Sequence, residues 1–111
     1  MGYKMLKPSD FLGDRYILGK AVDTYGTESQ VDMAIEEMSE LTKALLKYRR
    51  ASKNQTDIGI GKAHADILEE IADVEIMLDQ MKIIYGDPIC ERKHKIDRLK
   101  ERLDGENNDK C

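Results

Sequence analysis

The chain has 111 residues and a formal net charge of −4, with 41% apolar, 36% charged and only 5% aromatic residues. This composition favours one small domain of long amphipathic helices over a β-sandwich, so we predict an all-α fold. The acidic balance argues against nucleic-acid binding through a basic face.

No stretch approaches the apolar run that a membrane span requires, and the first residues, MGYKMLKPSDFLGD, lack the hydrophobic core of a signal peptide. The two cysteines, Cys90 and Cys111, match no metal-binding or redox motif. We therefore expect a cytoplasmic protein with no membrane partner.

The chain is predicted to begin with an irregular lead-in at residues 1–13, which contain Pro8 and Gly13. From Asp14 to Tyr25, apolar residues recur on one helical face, which indicates a short first helix that stops at Gly26. The residues of this face are Ile17, Leu18, Ala21, Val22 and Tyr25.

A long second helix is predicted from about Thr27 to Arg50. Its apolar stripe follows steps of three and four and consists of Val31, Ala34, Met38, Leu41, Leu45 and Tyr48. Residues 51–61 contain Gly59 and Gly61 and have no period, so we expect them to connect two antiparallel helices.

The third helix is predicted to cover about Lys62 to Tyr85 and to end at Gly86. Its stripe repeats the same steps and consists of Ile67, Ile71, Val74, Leu78, Met81 and Tyr85. Asp87 and Pro88 then form a helix-start signal, so a fourth helix follows.

The fourth helix is expected to end at Gly105, with residues 105–111 as a disordered tail. Its apolar side consists of Ile89, Ile96, Leu99 and Leu103. The helical domain is thus predicted to span residues 14–104. Helices of this length carry more apolar surface than one short chain can cover, so we expect a homodimer or homotetramer.

Acidic residues border the stripes of both long helices. Glu37 and Glu40 lie one turn apart on the second helix, and Glu70 and Asp73 have the same spacing on the third. If the stripes pack together, four carboxylates meet at one seam, where they must stay hydrated, take up protons or bind cations. Such oxygen-rich clusters suit Mg²⁺ or Mn²⁺. The alternative is that these acids are solvated helix surface.

These motifs resemble a known family. EEMSE at residues 36–40 and EIAD at residues 70–73 match the EExxE and ExxD signature of the MazG-like all-α nucleoside triphosphate pyrophosphohydrolases. The resemblance covers about residues 14–103. It implies a four-helix MazG-like bundle that hydrolyses a (d)NTP between the α and β phosphates to a nucleoside monophosphate and pyrophosphate. The Mg²⁺ ligands that it implies are Glu37, Glu40, Glu70 and Asp73.

Two further residues are candidates because of their helical position relative to Glu37. Glu36 is interpreted as a residue that positions water or accepts its proton, and it forms the predicted catalytic pair with Glu40. Gln30, two turns before Glu37, is a candidate contact to the base. Each has a simpler explanation: an exposed helix glutamate for Glu36 and a helix-capping residue for Gln30.

The family also uses basic residues of its last helix to bind phosphates. The matching candidates here are Lys95, Arg98 and Arg102. The family often has asparagine two positions after the lysine, where this chain has Asp97. Lys95 has an alternative role in a surface ion pair with Glu91.

Two other functions remain open at this point. Phosphoribosyl-ATP pyrophosphatases belong to the same superfamily and cleave the same bond in a different substrate. A non-catalytic helical dimerisation or interaction module would use the acidic seam as a partner surface.

Overall fold

The computed structural model describes residues 8–54 and 57–108, and throughout these ranges the chain is helical or in short turns. The four helices are α1 (Pro8–Tyr25), α2 (Thr27–Asn54), α3 (Asp57–Tyr85) and α4 (Ile89–Asn108). The all-α prediction is confirmed. None of the described helices has the length and hydropathy needed to cross a membrane.

The first helix begins earlier than the sequence indicated. α1 starts at Pro8 rather than Asp14, so the predicted irregular segment is corrected from residue 8 onward, while residues 1–7 lie outside the described part. Proline is well tolerated in the first turn of a helix because its missing N–H is not needed there. Gly13 inside the helix costs only about 1 kcal/mol relative to alanine.

The connection predicted at residues 51–61 is mostly helical. α2 continues to Asn54, and α3 begins at Asp57. Ala51, Gly59 and Ile60 are partly buried, so extending the two helices lengthens the packing between them. This tertiary packing outweighs the helix cost of glycine, which is about 1 kcal/mol per residue.

The fourth helix runs through the predicted stop at Gly105 and ends at Asn108. The predicted tail therefore begins as helix at residues 105–108, and residues 109–111 lie outside the described part of the chain. A glycine that ends a helix adopts a left-handed backbone conformation with positive φ. Among the described residues, Gly26 and Gly86 have positive φ, and Gly105 continues the helix.

Two glycines end helices as predicted. Gly26 has φ 90° and Gly86 has φ 113°, in the left-handed region that other residues adopt only with strain. Their backbone N–H groups donate to the carbonyl oxygens of Val22 and Lys82, each at 2.8 Å. These bonds satisfy carbonyl groups at the ends of α1 and α3.

The two long helices pack against each other in antiparallel fashion. The rings of Tyr48 in α2 and His64 in α3 are 6.3 Å apart, which brings the end of one helix to the start of the other. Buried and partly buried residues recur on both helices in alternating steps of four and three, and we call this face the seam. In α2 the seam consists of Gln30, Ala34, Glu37, Leu41, Ala44 and Tyr48, and in α3 of Ala63, Ile67, Glu70, Val74, Met77 and Met81.

The seam differs from the predicted stripes. Met38 and Leu45 of α2 were expected at the packing face, yet they are 44% and 46% exposed. Ala44 is buried in place of Leu45, and Ala34, a residue of the predicted stripe, is buried as expected. Alanines at a helical contact let the two helix axes approach closely. Ala34, Leu41 and Tyr48 keep their predicted places, whereas the other three positions of the α2 face each move back by one residue, which places Glu37 in the packing face.

α1 packs on both long helices, whereas α4 stands apart. Val22 is buried, but Ile17 and Tyr25 are exposed, so the inner face of α1 is narrower than predicted. Within the described ranges, no Cα atom of α4 lies within 8 Å of a Cα atom in α1, α2 or α3. One chain thus forms a packed three-helix unit with a projecting fourth helix.

Candidate metal centre

Three carboxylates meet across the seam. Glu37 of α2 and Glu70 and Asp73 of α3 each place one carboxylate oxygen within 4.8 Å of the other two. Glu70 and Asp73 lie one turn apart on α3, and the antiparallel packing brings Glu37 to their level. Glu37 and Glu70 are partly buried and Asp73 is exposed, so this carboxylate cluster opens to solvent on the Asp73 side.

The cluster lacks a compensating cation among the residues that the structure describes. The ion pairs found there involve other carboxylates, and neither lysine nor arginine pairs with Glu37, Glu70 or Asp73. The Oε2 atom of Glu70 is buried and has no hydrogen-bond donor. A buried carboxylate oxygen without a partner is costly, so the site is suited to a proton or a metal ion.

The pKa values of two carboxyl groups in the cluster also indicate a site suited to a proton or a metal ion. Burial raises the pKa of the Glu37 carboxyl, and the nearby Asp73 and Glu70 charges raise it further. Burial also raises the pKa of Glu70, with Asp73 as the next cause. Smaller contributions come from Glu36 and Glu40 for Glu37, and from Glu40, Glu69 and Asp66 for Glu70. Each raised pKa means that the negatively charged form of the carboxyl group is disfavoured at this place, and a bound cation would stabilise that form.

Glu40, predicted as both a metal ligand and a catalytic residue, lies at the rim of the cluster. Its Oε1 atom accepts a hydrogen bond from Lys43 Nζ at 3.3 Å. It is not among the three carboxylates that approach within 4.8 Å, although its charge raises the pKa of both Glu37 and Glu70. An exposed ion pair of this kind holds its partners weakly, so Glu40 is free to reorient.

Glu36, the other predicted catalytic residue, is exposed beside the cluster. Its charge contributes to the raised pKa of Glu37, and its carbonyl oxygen accepts a hydrogen bond from Ser39 Oγ at 2.6 Å. Its carboxylate therefore faces solvent close to the cluster.

The acids next to the carboxylate cluster lie on one side of the helical pair. In two antiparallel helices, residues one position before a seam residue point to the same side of the pair. We call this the acidic side, and its members are Glu36, Glu40, Asp66, Glu69 and Asp73. The seam carboxylates Glu37 and Glu70 lie beneath them. Lys43, Lys47 and Lys62 also precede seam residues, so this side carries five acids and three lysines and has a net negative charge.

The predicted phosphate-binding residues are not brought to this side. Lys95, Arg98 and Arg102 are exposed on α4. Lys95 and Arg102 line a groove of about 740 Å³ between α4 and the second half of α3. The α3 residues of this groove include Glu75 and Leu78, which follow seam residues rather than precede them, so the groove lies away from the acidic side.

The predicted pair between Lys95 and Glu91 is also not found among the described ion pairs, which in α4 join Lys93 to Asp97 at 3.2 Å. The phosphate role of the α4 bases thus stays a prediction.

Two buried glutamines lie further along the helical pair, Gln30 in the seam and Gln80 one position before the seam residue Met81. Gln30, the predicted base contact, is 6% exposed, and Gln80, which was not singled out from the sequence, is 4% exposed. Gln30 precedes Glu37 by seven residues and Gln80 follows Asp73 by seven, so antiparallel packing places both amides at one level. This matching interval is the signal that identifies Gln80. Its Oε1 atom is buried without a hydrogen-bond partner.

No family model, curated protein or solved structure matches the chain. A functional assignment therefore rests on the two acidic motifs and on the geometry of the carboxylate cluster.

Proposed function

We propose that the chain is a metal-dependent nucleoside triphosphate pyrophosphohydrolase that cleaves a (d)NTP between the α and β phosphates. The observation that carries this proposal is the approach of Glu37, Glu70 and Asp73 oxygens to within 4.8 Å across the seam. It gives the EExxE and ExxD motifs a shared location, as the resemblance to MazG-like enzymes requires.

The donor set fits Mg²⁺ or Mn²⁺. All three groups are carboxylates, which hard divalent cations prefer, and the cluster is open to solvent and substrate at Asp73. The buried Oε2 atom of Glu70 would gain the partner that it lacks. When bound, Mg²⁺ would neutralise phosphate charge and make a bound water more acidic.

The protein side chains have separate tasks in this proposal. Glu37 and Glu70 hold the cation from two helices that are fixed by their mutual packing, and Asp73 completes the ligand set on the solvent side. Glu36 and Glu40 lie next to these ligands and supply a carboxylate to orient water and accept its proton. Rigid helices keep these groups aligned before substrate arrives.

Pyrophosphate release from a panel of (d)NTPs with Mg²⁺ tests this function. Wild-type protein should turn over at least one of them, and Glu70→Gln should lower kcat by about 100-fold or more, because loss of even an indirect metal contact typically costs 10- to 100-fold. Glu101→Gln, at an exposed glutamate of α4, is the matched control and should stay within about twofold. Failure of pure wild-type protein to hydrolyse any substrate, phosphoribosyl-ATP included, would refute the proposal.

A non-catalytic helical interaction module is the second candidate, because large apolar side chains such as Met38 and Leu78 are exposed. Calorimetric titration with Mn²⁺ separates the two functions. The hydrolase should bind Mn²⁺ saturably, and Glu70→Gln should abolish that binding. An interaction module should show neither effect.

A further inference from the structure

The acidic side of the helical pair changes in chemistry from one end to the other. Because α2 and α3 run in opposite directions, the first residues of the α2 row lie beside the last residues of the α3 row. From the end near Gly26, the α2 row consists of Ser29, Met33, Glu36, Glu40, Lys43 and Lys47, and the α3 row at the same levels consists of Gln80, Ile76, Asp73, Glu69, Asp66 and Lys62. The side therefore has a neutral end at Met33 and Ile76, an acidic middle and a lysine end at Lys43, Lys47 and Lys62.

Two contacts fix the levels of these rows. Carboxylate oxygens of Glu37 and Asp73 lie within 4.8 Å of each other beside the acidic middle. The rings of Tyr48 and His64 are 6.3 Å apart next to the lysine end. The neutral end and the lysine end therefore lie on opposite sides of the carboxylate cluster.

The lysine end carries ammonium groups that an anion can reach. Lys43 Nζ lies 3.3 Å from Glu40 Oε1, and Lys62 Nζ lies 3.9 Å from Asp66 Oδ2. Both lysine side chains are 72% exposed, so water screens these pairs and they are held weakly. Lys47 takes part in none of the ion pairs found in the described part of the chain. All three lysines can therefore turn toward an anion bound at the cluster.

The neutral end offers apolar contact and is closed by α1. Met33 and Ile76 are 38% and 46% exposed, so their side chains present apolar surface to solvent. Gln80 belongs to the same row as Ile76 and Asp73, which are exposed beside α2, yet Gln80 is only 4% exposed. Within the described ranges, α1 is the one helix besides α2 that contacts α3, so α1 covers Gln80. An elongated ligand on the acidic side would end against α1.

We propose that a nucleoside triphosphate lies lengthwise along the acidic side, with its nucleoside at the neutral end and its β and γ phosphates at the lysine end. This inference rests on the proposed hydrolase and adds the direction in which its substrate lies. Hydrolysis adds one water across the α–β anhydride bond that breaks. Pyrophosphate therefore forms beside the lysines, and the nucleoside monophosphate forms beside Met33 and Ile76.

Length and charge both favour this direction. The helix rises by 1.5 Å per residue, so Met33 and Lys43 are separated by about 15 Å, which is comparable to an extended nucleoside triphosphate. A lysine ammonium on its flexible stem is a good partner for phosphate oxygens. The reverse direction would place the phosphates beside apolar side chains and leave the lysines without an anion.

The lysine end also differs from α4 as a place for phosphates. Lys95, Arg98 and Arg102 of α4 line recesses that lie away from the acidic side. The three lysines of the lysine end lie on the same side as the carboxylate cluster. Phosphate binding is therefore assigned to α2 and α3, and a substitution in each region can decide between them.

Calorimetric titration of the protein with each product as its Mn²⁺ complex tests the direction without turnover. Lys47→Gln and Lys62→Gln should each weaken pyrophosphate binding by about 5- to 10-fold, because each removes a charged donor. Both should leave binding of the nucleoside monophosphate within about twofold. The monophosphate used is the one that wild type binds most tightly among those of adenosine, guanosine, cytidine and uridine.

Ile76→Gln should show the reverse pattern. It removes apolar contact from the neutral end, so it should weaken binding of the monophosphate by about threefold or more and leave pyrophosphate binding within about twofold. Lys100→Gln, at an exposed lysine of α4, is the matched control and should change neither. Lys95→Gln tests the α4 alternative and should also leave pyrophosphate binding unchanged. Circular dichroism checks that each variant keeps its helicity.

Three results would overturn the proposed direction. They are a wild-type protein that binds neither product, lysine variants that weaken the monophosphate instead of pyrophosphate, and a Lys95→Gln effect on pyrophosphate larger than that of Lys47→Gln. Turnover assays keep this inference separate from the hydrolase. Turnover without the crossed binding pattern would sink the direction alone, whereas the crossed pattern without turnover would support the direction and refute the hydrolase.

Discussion

The acidic side and the opposite side of the helical pair differ in chemistry, although their residues are neighbours in the sequence. We call the opposite side the apolar face, and its exposed apolar residues are Ile35, Met38 and Leu45 of α2 with Leu68, Ile71 and Leu78 of α3. In α2, residues 36–38 (Glu-Glu-Met) contribute in order to the acidic side, the seam and the apolar face. In α3, residues 69–71 (Glu-Glu-Ile) do the same. Each residue turns a helix by about 100°, so three consecutive positions separate a charged surface from an apolar one. These two triplets, one in each helix, therefore give the helical pair one charged surface and one apolar surface.

Metal binding should show the largest difference between these surfaces. Glu37→Gln and Asp73→Asn should each weaken Mn²⁺ binding by about 10- to 100-fold or more, because each removes a charge from the carboxylate cluster. Glu40→Gln should have a smaller effect, since Glu40 lies at the rim. Calorimetric titration measures all three. A Glu40→Gln effect larger than that of Glu37→Gln would show that the cluster is centred elsewhere.

The seam should respond strongly to added volume. Ala63 is 2% exposed, so Ala63→Leu should lower the free energy of unfolding by about 1–3 kcal/mol through overpacking. Ala65→Leu makes the same change at an exposed position of α3 and should be nearly neutral. Urea unfolding followed by circular dichroism measures both variants. Equal losses would place the contact between the long helices on a different side of α3.

The raised pKa of Glu70 predicts a pH-dependent difference in stability. Because its folded-state pKa lies above the ordinary value of 4.5, the folded protein binds this proton more tightly than the unfolded chain does. The contribution is fully favourable below pH 4.5 and is lost as pH rises through the raised pKa. Without metal, Glu70→Gln should therefore have a higher Tm than wild type at neutral pH.

Below pH 4.5 this difference should disappear, because Glu70 is then protonated in both states. Added Mn²⁺ should reverse the order at neutral pH by stabilising wild type alone. Thermal melts over a pH series check each of these points. A Glu70→Gln variant that is less stable than metal-free wild type at neutral pH would contradict them.

The smallest effect is expected at the rim of the acidic side. Lys43 pairs with Glu40 at 3.3 Å, but both side chains are substantially exposed. Lys43→Ala should change the free energy of unfolding by about 0.5 kcal/mol or less, measured by urea unfolding. A larger loss would mean that this pair is buried in solution, for example by a partner.

The sequence was sufficient to predict four helices and a cluster of acids between the two long ones, but not which of these acids meet. The stops at Gly26 and Gly86 follow from local backbone chemistry. Helical spacing predicts a group of four acids, of which Glu37, Glu70 and Asp73 approach within 4.8 Å and Glu40 does not. The exact packing face was not predictable in this way. The predicted α3 stripe combined seam residues such as Val74 with apolar-face residues such as Leu78.

The reason is that each long helix carries two adjacent rows of apolar residues, one in the seam and one on the apolar face. Sequence periodicity cannot separate the two rows, so the predicted stripe mixes residues from both. Large exposed residues dominate the apolar pattern of the sequence, whereas small seam residues such as Ala44 and Ala63 contribute little to it. Only tertiary contacts reveal which row is inside.

The turn between α3 and α4 has a consequence for association. Gly86 adopts a left-handed conformation, and Pro88 restricts its own φ and the backbone of Asp87. Because no Cα atom of α4 lies within 8 Å of the other described helices, these three turn residues restrict its direction more than tertiary contacts do. An arm that is already oriented loses little conformational freedom when it docks, so more of its contact energy remains as affinity.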